Sequence, residues 1–232
     1  MKYLKLVFNR EVAAPMLGLL FASGVSVALV LARIYWTGKF QYAFLVWNLF
    51  LAWVPLAFAL LARDQFLSTS GRNGNFLGLT AAWLLFFPNS AYIFTDVIHL
   101  TSRYYMNFWV DLVLVLSCAL TGLVAGFLSL FLMQSVVRRM WGGLASWLFI
   151  ASVAGVSSFG IYLGRFLRFN SWDVIFKPIT LYHGIGHWAR DLLANSTSFA
   201  FPLLFAAFLF IAYVMLYGLT HLKPTIQMTN DE

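Results

Sequence analysis

Residues 108–133 read FWVDLVLVLSCALTGLVAGFLSLFLM and contain a single charged residue, Asp111. About 20 apolar residues form a helix roughly 30 Å long, which matches the thickness of the hydrocarbon core of a bilayer. The stretch is therefore predicted to cross a membrane as a helix. Asp111 lies close to its start, where a carboxylate needs an ionic partner or water.

The rest of the chain repeats this pattern. Of its 232 residues, 62% are hydrophobic and 10% are charged, whereas about 25% are charged in an ordinary soluble domain. We predict an all-α, polytopic transmembrane helical bundle that forms a single domain over residues 1–232. Hydropathy and turn-forming residues predict six spans, at about Ala13 to Ala32, Tyr42 to Ala62, Phe76 to Phe94, Phe108 to Met133, Trp141 to Leu163 and Phe199 to Leu219.

Composition and missing motifs exclude several classes of protein. The net charge of +7 comes from 15 scattered Lys and Arg against eight acids, so no nucleic-acid-binding surface is predicted. A single cysteine, Cys118, allows no intrachain disulfide. The basic N-terminus precedes an apolar run that lacks an A-x-A cleavage site, which predicts an uncleaved first helix. Without a P-loop, a dinucleotide-binding glycine pattern or a hydrolase motif, no cofactor is predicted.

The distribution of basic residues predicts the topology. An even number of spans places both ends of the chain on one side, with eight of the 15 Lys and Arg. Four of the other seven lie in the long fifth loop, residues 164–198. With this loop set aside, the positive-inside rule predicts that segments 1–12 and 220–232 are cytoplasmic. The fifth loop is then extracytoplasmic.

Part of the fifth loop has helical periodicity. Between Pro178 and Ala194, one predicted face is polar and consists of His183, His187, Arg190, Asp191 and Ala194. The opposite face is apolar and consists of Leu181, Ile185, Trp188 and Leu192. We predict an amphipathic helix in the membrane interface. His183 and His187 have the spacing of helical metal ligands and are weak metal candidates, but the favoured interpretation is a solvated stripe without a metal.

Two polar clusters interrupt the apolar background on the predicted outer side. The first is FFPNSAYIFTDVIHLTSRYY, residues 86–105, in which Pro88 is expected to break the third span next to Asn89. If residues 95–103 form an α-helix, then Asp96, His99 and Arg103 share one face. A carboxylate, an imidazole and a guanidinium would point at the same volume. In the second span, Asn48 is predicted to make an interhelical hydrogen bond.

The second cluster is GRFLRFNSWD, residues 164–173. Arg165 and Arg168 are three residues apart and are suited to bidentate contact with phosphate or carboxylate. Two alternatives stay open, namely snorkelling to lipid phosphates and pairing with Asp96, Asp111 or Asp173. Asp173 itself either acts directly or serves as the capping-box partner of Asn170.

The two clusters together resemble a known family. The motif FPN-x-x-Y-x-x-T-D-x-x-H-L (Phe87 to Leu100), an Asp early in the next span, and F-G-I-Y-L-G-R-F-L-R-x-N-S-W-D (Phe159 to Asp173) look like a bacterial membrane family, domain of unknown function 1361. The resemblance covers about Leu45 to Tyr217 and departs at Ala91, where such sequences often have proline. It implies a bacterial inner-membrane protein. The matching positions are Asn89, Tyr92, Asp96, His99, Asp111, Arg165, Arg168, Asn170, Trp172 and Asp173.

Three functions fit these residues, and the question of enzymatic activity stays open. The first is an outer-leaflet enzyme or binding protein for an anionic lipid or lipid-linked phosphate, with helix 178–194 as a lateral gate. Its catalytic candidates are Asp96, His99 and Asp173, and its substrate-binding candidates are Asn89, Tyr92, Arg103, Asp111, Arg165, Arg168, Asn170 and Trp172. The second is a small transporter or channel that uses the cluster as a relay. The third is a structural subunit. Expected partners are membrane lipids and a second copy or another membrane protein.

Overall fold

The computed structural model describes residues 10–68, 73–100, 107–191 and 196–221. Over these ranges the chain is helical and contains no strand. The α-helices are α1 (Arg10–Thr37), α2 (Ala43–Ser68), α3 (Gly74–Phe86), α4 (Pro88–Tyr92), α5 (Phe108–Phe166), α6 (Asp173–Phe176), α7 (Pro178–Asp191) and α8 (Ser196–Thr220), and a 3₁₀ helix spans Ile93–His99. Within the described ranges, five helical stretches are long and apolar enough to cross a membrane. The predicted all-α membrane fold is confirmed.

The longest helix, α5, is folded back on itself. Its 59 residues would extend about 90 Å if straight, roughly three times the hydrocarbon thickness. Gly142 interrupts it with φ 86° and ψ −177°. Ser129 before the break accepts a hydrogen bond from the Trp83 indole (3.1 Å), and Phe149 after it stacks on the same indole (5.8 Å). Segments 108–141 and 143–166 are therefore antiparallel, and α5 supplies two of the predicted spans.

Gly142→Ala should lower the free energy of unfolding by about 1–3 kcal/mol. A side chain at φ 86° and an extended ψ occupies a region that is essentially open only to glycine. Gly143→Ala is the matched control, because a Cβ at either position meets no atom within 4 Å and Gly143 has no positive φ. Thermal unfolding in detergent measures the difference. Equal melting temperatures for the two variants would contradict this account of the turn.

Glycines let the short helix α4 approach α5 closely. A Cβ on Gly126 would lie 2.6 Å from the Cβ of Ser90, and one on Gly122 would lie 2.9 Å from the Ser90 carbonyl oxygen. In the second segment of α5, a Cβ on Gly160 would lie 2.9 Å from Pro88 Cγ. Small residues at these three positions thus allow close helix packing. The two segments of α5 hold α4 between them.

The charged residues of the described spans fall at the two ends of the bundle. The polar end is defined by Arg33, Asp96, Asp111 and Arg165. The helices alternate in direction, so this end contains the C-terminal end of α1, the 3₁₀ helix, the beginning of α5 and its last turn. The opposite end contains Arg63, Asp64, Arg138 and Arg139, together with the turn at Gly142.

The helix predicted over residues 95–103 is wrong in type and length over the part that the structure describes. Residues 93–99 form a 3₁₀ helix, and Leu100 is no longer helical. The β-branched residues Ile93, Thr95 and Val97 disfavour an α-helix, and the Thr95 hydroxyl donates to the Tyr92 carbonyl oxygen (2.6 Å). Side chains at i and i+3 eclipse in a 3₁₀ helix, so Asp96 and His99 still share a face. Arg103 lies outside the described residues.

The predicted amphipathic helix in the fifth loop is present as α7. Leu181, Ile185 and Trp188 are half-buried, whereas the polar residues His183, His187 and Arg190 are exposed. The Trp188 ring packs on Phe159 at 4.6 Å, and its Nε1 donates to the Ser198 carbonyl oxygen (3.0 Å). The apolar face therefore rests on the protein. Leu192, Ala194 and the Asp191 side chain lie outside the described residues.

Candidate functional site

A cavity of about 690 Å³ opens at the polar end between α2, α3, the second segment of α5 and the loop that follows α5. Its outer part is polar and includes Asn89, Asp96, His99, Arg165, Arg168 and Asn170. Its inner part is apolar and includes Trp47, Leu51, Ala81, Leu84, Val156 and Phe159. Along α5 the apolar part runs from Val156 to Leu163, seven residues or about 10 Å of helix. The cavity is therefore polar at its mouth and apolar at its inner end.

Asp96 is buried at the base of the polar part, with 2% of its surface exposed. Its Oδ1 accepts from Arg165 Nη2 at 2.5 Å, and its Oδ2 accepts from Asn48 Nδ2 at 2.9 Å. Both carboxylate oxygens are therefore occupied. Two predictions are confirmed, namely the pairing of Arg165 with an acid and the interhelical hydrogen bond of Asn48.

The Arg165 guanidinium is fixed by four neighbours. Besides Asp96, it donates to Thr95 Oγ1 from Nε (2.9 Å) and Nη2 (2.5 Å), and its Cζ lies 4.5 Å from the centroid of the Tyr92 ring. Its Nη1 lies 3.3 Å from His99 Nε2. Because a guanidinium only donates, Nε2 of His99 is the acceptor where these two groups form a hydrogen bond. The side chain of His99 is half-exposed and packs edge-on against Phe44 at 5.3 Å.

Arg168 has a strained backbone and a side chain that no described residue pairs with. Its φ is +60°, a left-handed conformation that glycine adopts most readily, and the N–H of the next residue, Phe169, bonds back to the Leu163 carbonyl oxygen at 3.1 Å. A non-glycine residue there costs about 1–2 kcal/mol. Arg168 is exposed at the mouth of the cavity and, within the described ranges, has no hydrogen bond or ion pair. Residues that keep such strain cluster at functional sites.

The remaining polar residues of the second cluster organise the loop after α5. The Asn89 amide donates to Ser171 Oγ at 3.1 Å and ties α4 to this loop. Asn170, Ser171 and Trp172 line the cavity. This loop is therefore its outer wall.

Asp173 is turned away from the cavity lining. Its Oδ2 accepts from the Asn170 backbone N–H at 2.7 Å, and its Oδ1 lies 3.5 Å from Lys177 Nζ. The backbone hydrogen bond, followed by the Lys177 charge, holds the pKa of the Asp173 carboxyl below its ordinary value. This bond is one half of the predicted capping box, but the helix begins at Asp173 with Trp172 at its N-cap position and no side-chain cap. The capping alternative is therefore met only in part, and a catalytic part for Asp173 stays a prediction.

Asp111 does not line this cavity. It belongs to a separate ion-pair cluster at the polar end, formed with Arg33 and Tyr42. It forms a bidentate pair with Arg33 (2.6 and 3.2 Å) and accepts from the Tyr42 hydroxyl (3.0 Å). Burial, followed by the bond to Asp111, raises the pKa of Tyr42 to about 12. All three residues line a smaller cavity of about 190 Å³. In the sequence Arg33 is only one of the basic residues that bear on topology, and no local pattern indicates its pairing with Asp111.

The two weak metal candidates lie apart from both cavities. His183 and His187 are exposed on α7 and line neither of them. Over the ranges that the structure covers, no three His, Cys, Asp or Glu side chains are placed to hold a metal ion. A metal site remains an unfavoured prediction.

Comparison with known proteins places the chain in a family. The family model described as Protein of unknown function (DUF1361) matches residues 47–219. The chain belongs to this family. The match agrees with the resemblance over about Leu45 to Tyr217 and includes Arg165, Arg168 and every polar lining residue named above for the larger cavity. Arg33 and Tyr42 lie outside the part that matches DUF1361. The chain matches no curated protein and no solved structure.

Proposed function

We propose that the protein binds an anionic amphiphile, a phospholipid or a lipid-linked phosphate, in the larger cavity. The negatively charged head lies against Arg168, and the hydrocarbon chain lies along Trp47, Leu84 and Val156. The observation that carries this proposal is Arg168, which pairs with none of the described residues and lies at the mouth of a cavity that is apolar further in. It is the first of the three functions that the sequence suggests, and we propose binding of the lipid without proposing a reaction.

Electrostatics favour an anion at the polar part. Asp96 compensates the charge of Arg165, so Arg168 leaves the described lining with an excess positive charge. Since guanidinium groups contact phosphate oxygens in a bidentate manner, a phosphate head is the natural partner. The Asn89 and Asn170 side chains line the same part of the cavity and supply neutral polar groups.

The shape of the apolar part favours a ligand that arrives from the bilayer. Trp47 and Val156 line the cavity and yet are 54% and 52% exposed, and Ala81 is exposed as well. These positions lie within membrane-spanning helices, so the exposed surface faces lipid. A hydrocarbon chain can therefore enter sideways without crossing water.

The geometry favours positioning over acid-base chemistry for Asp96. A carboxylate whose two oxygens already accept from Arg165 and Asn48 has little freedom to take a proton from a ligand. Asp96 holds Arg165 in place, and His99 is left as the half-exposed group that could exchange a proton at the cavity.

The transporter alternative has less support. A relay that carries protons between charged side chains needs ionisable groups along the depth of the membrane. In the described spans, the charged residues lie at the two ends, with none between the polar end and the group formed by Arg63, Asp64, Arg138 and Arg139. A cluster confined to one end is suited to a headgroup site in one leaflet. By the distribution of Lys and Arg, that leaflet is the outer one.

Arg168→Gln should weaken binding of a fluorescent phosphatidylglycerol by about 10- to 100-fold, as expected for the loss of a charge-assisted hydrogen bond worth about 1.5–3 kcal/mol. The measurement is a titration of the purified protein in neutral detergent micelles. Arg190→Gln is the matched control, since Arg190 is equally exposed but lies on α7 outside the cavity lining. Equal affinity of Arg168→Gln and the wild type would refute the proposal, as would equal affinity for phosphatidylcholine.

Arg168→Gly should lose binding and yet gain stability, by about 1 kcal/mol, because glycine adopts φ +60° without strain. Arg168→Ala keeps the backbone strain and should lose binding without this gain. The comparison of the two melting temperatures separates the backbone effect from the loss of the guanidinium. If Arg168→Gly melts below Arg168→Ala, the backbone at position 168 is not strained.

A further inference from the structure

The loop after α5 carries an exposed apolar surface that packing does not explain. Ile175 and Phe176 of α6 are 69% and 75% exposed, and Ile179 and Tyr182 of α7 are 72% and 75% exposed. We call these four residues the apolar knob. They lie within eight consecutive positions, outside the candidate membrane spans. Large exposed apolar side chains in such a group mark an interaction surface.

The apolar knob is not the face that sequence periodicity assigns to the membrane. That face, with Leu181, Ile185 and Trp188, turns inward, where Trp188 packs on Phe159. Gly184 on the same side allows close approach, because a Cβ there would lie 2.8 Å from Phe169 Cε2. The apolar knob therefore points elsewhere on α7 and begins before it.

The apolar knob adjoins the mouth of the cavity. Val174, directly before it, and Leu181, near its end, both line the cavity. Asp173 anchors the segment through Asn170, which also lines the cavity. One short segment thus forms part of the rim and presents the exposed apolar residues.

A bilayer is the surface that this segment meets first. The loop is joined at both ends to membrane-spanning helices, and Val174 follows the end of α5 at Phe166 by only eight residues. Exposed basic residues lie in and around this segment: Lys177 lies between Phe176 and Ile179, Arg168 precedes the segment and Arg190 follows it. Apolar residues with basic neighbours are typical of segments that insert at the interface of an anionic leaflet.

We propose that residues 174–182 insert into the leaflet at the polar end and form a lipid-facing rim of the cavity. Phe176 and Ile179 then lie below the headgroups, and Arg168 lies at their level. Insertion depends on the apolar side chains and does not require the proposed function. The further statement that lipid enters the cavity past this rim rests on the proposed function.

Site-directed fluorescence tests the insertion. The native cysteine, Cys118, is buried, so a label reacts at an introduced cysteine. Phe176→Cys and Ile179→Cys carry an environment-sensitive fluorophore, and His187→Cys on the exposed polar face of α7 is the matched control. The full chain is reconstituted in vesicles of phosphatidylglycerol and phosphatidylcholine, with or without nitroxide-labelled lipid.

The expected result is quenching by nitroxide lipid at positions 176 and 179 that is several-fold stronger than at 187, with protection from aqueous iodide. If iodide quenches positions 176 and 187 equally and nitroxide lipid quenches neither, insertion is overturned. Protection at 176 that appears only as the protein concentration rises, without quenching by nitroxide lipid, also overturns it and assigns the apolar knob to a contact between copies.

The same labels separate this inference from the proposed function. In vesicles of phosphatidylcholine alone, and in the Arg168→Gln background, the nitroxide quenching at 176 should persist because it needs no headgroup site. Persistent quenching together with unaltered lipid affinity of Arg168→Gln would remove the proposed function and leave the insertion. Loss of nitroxide quenching at position 176, together with the expected loss of lipid affinity in Arg168→Gln, would remove the insertion and leave the proposed function.

Discussion

Asp96→Ala is expected to lower the free energy of unfolding by about 3–5 kcal/mol. The substitution leaves the Arg165 guanidinium, whose side chain is 13% exposed, without the carboxylate that compensates its charge. It also leaves Asn48 Nδ2 without the acceptor that it has at 2.9 Å. Unfolding followed by intrinsic fluorescence in detergent measures the effect.

A double variant tests whether the uncompensated charge is the cause. Asp96→Ala combined with Arg165→Met removes the charge as well and should regain much of the loss, because replacing both members of a buried pair with apolar groups is often close to neutral. Arg190→Ala is the control for removal of an exposed charge and should change stability by less than about 0.5 kcal/mol. If the double variant is as unstable as the sum of its single variants, the two residues do not act as a pair.

Gly126→Ala is expected to destabilise the protein by about 1–3 kcal/mol or more. The new Cβ would lie 2.6 Å from the Ser90 Cβ, a distance that rotation of the serine hydroxyl cannot relieve, so α4 must move. α4 is followed directly by the segment that carries Asp96, and it contains Asn89 and Tyr92. The variant should therefore lose affinity for phosphatidylglycerol along with stability, although Gly126 does not line the cavity.

Gly155→Ala is the matched control for this prediction. Gly155 lies in the other segment of α5, and a Cβ there meets no atom within 4 Å. Because alanine favours a helix over glycine by about 1 kcal/mol, this variant should be neutral or more stable. A partial return of stability in Gly126→Ala with Ser90→Gly would attribute the effect to the Ser90 contact. Equal behaviour of the Gly126 and Gly155 variants would contradict the close approach of α4.

The spans could be predicted because length and apolarity act locally. Each of the predicted stretches corresponds to described helical structure. The third stretch covers α3, α4 and the start of the 3₁₀ helix, and the fourth and fifth are the two segments of α5. The boundary between the fourth and fifth spans was predicted at residues 134–140, but α5 stays helical there and turns at Gly142, just inside the predicted fifth span. Nothing in a Gly-Gly pair shows that a single residue in an unusual conformation makes the turn. Local chemistry also indicated the hydrogen bond between the Asn170 N–H and the Asp173 carboxylate, since the donor and the acceptor are three residues apart.

Contacts between distant segments could not be predicted in the same way. Asp111 and Asp96 are both acids near the polar end, and hydropathy does not show that α1 supplies a partner to one and α5 to the other. The backbone strain at Arg168 depends on how α5 ends, and an arginine gives no sign of it. The orientation of α7 depends on Phe159 and Phe169, which cover the face that periodicity assigned to lipid.

The turn at Gly142 bears on biosynthesis. A connection of one extended residue keeps segments 108–141 and 143–166 close together, and both contact Trp83, the first through Ser129 and the second through Phe149. The second segment cannot remain in the aqueous phase while the first is already in place. The two are therefore expected to leave the insertion machinery together as one helical hairpin.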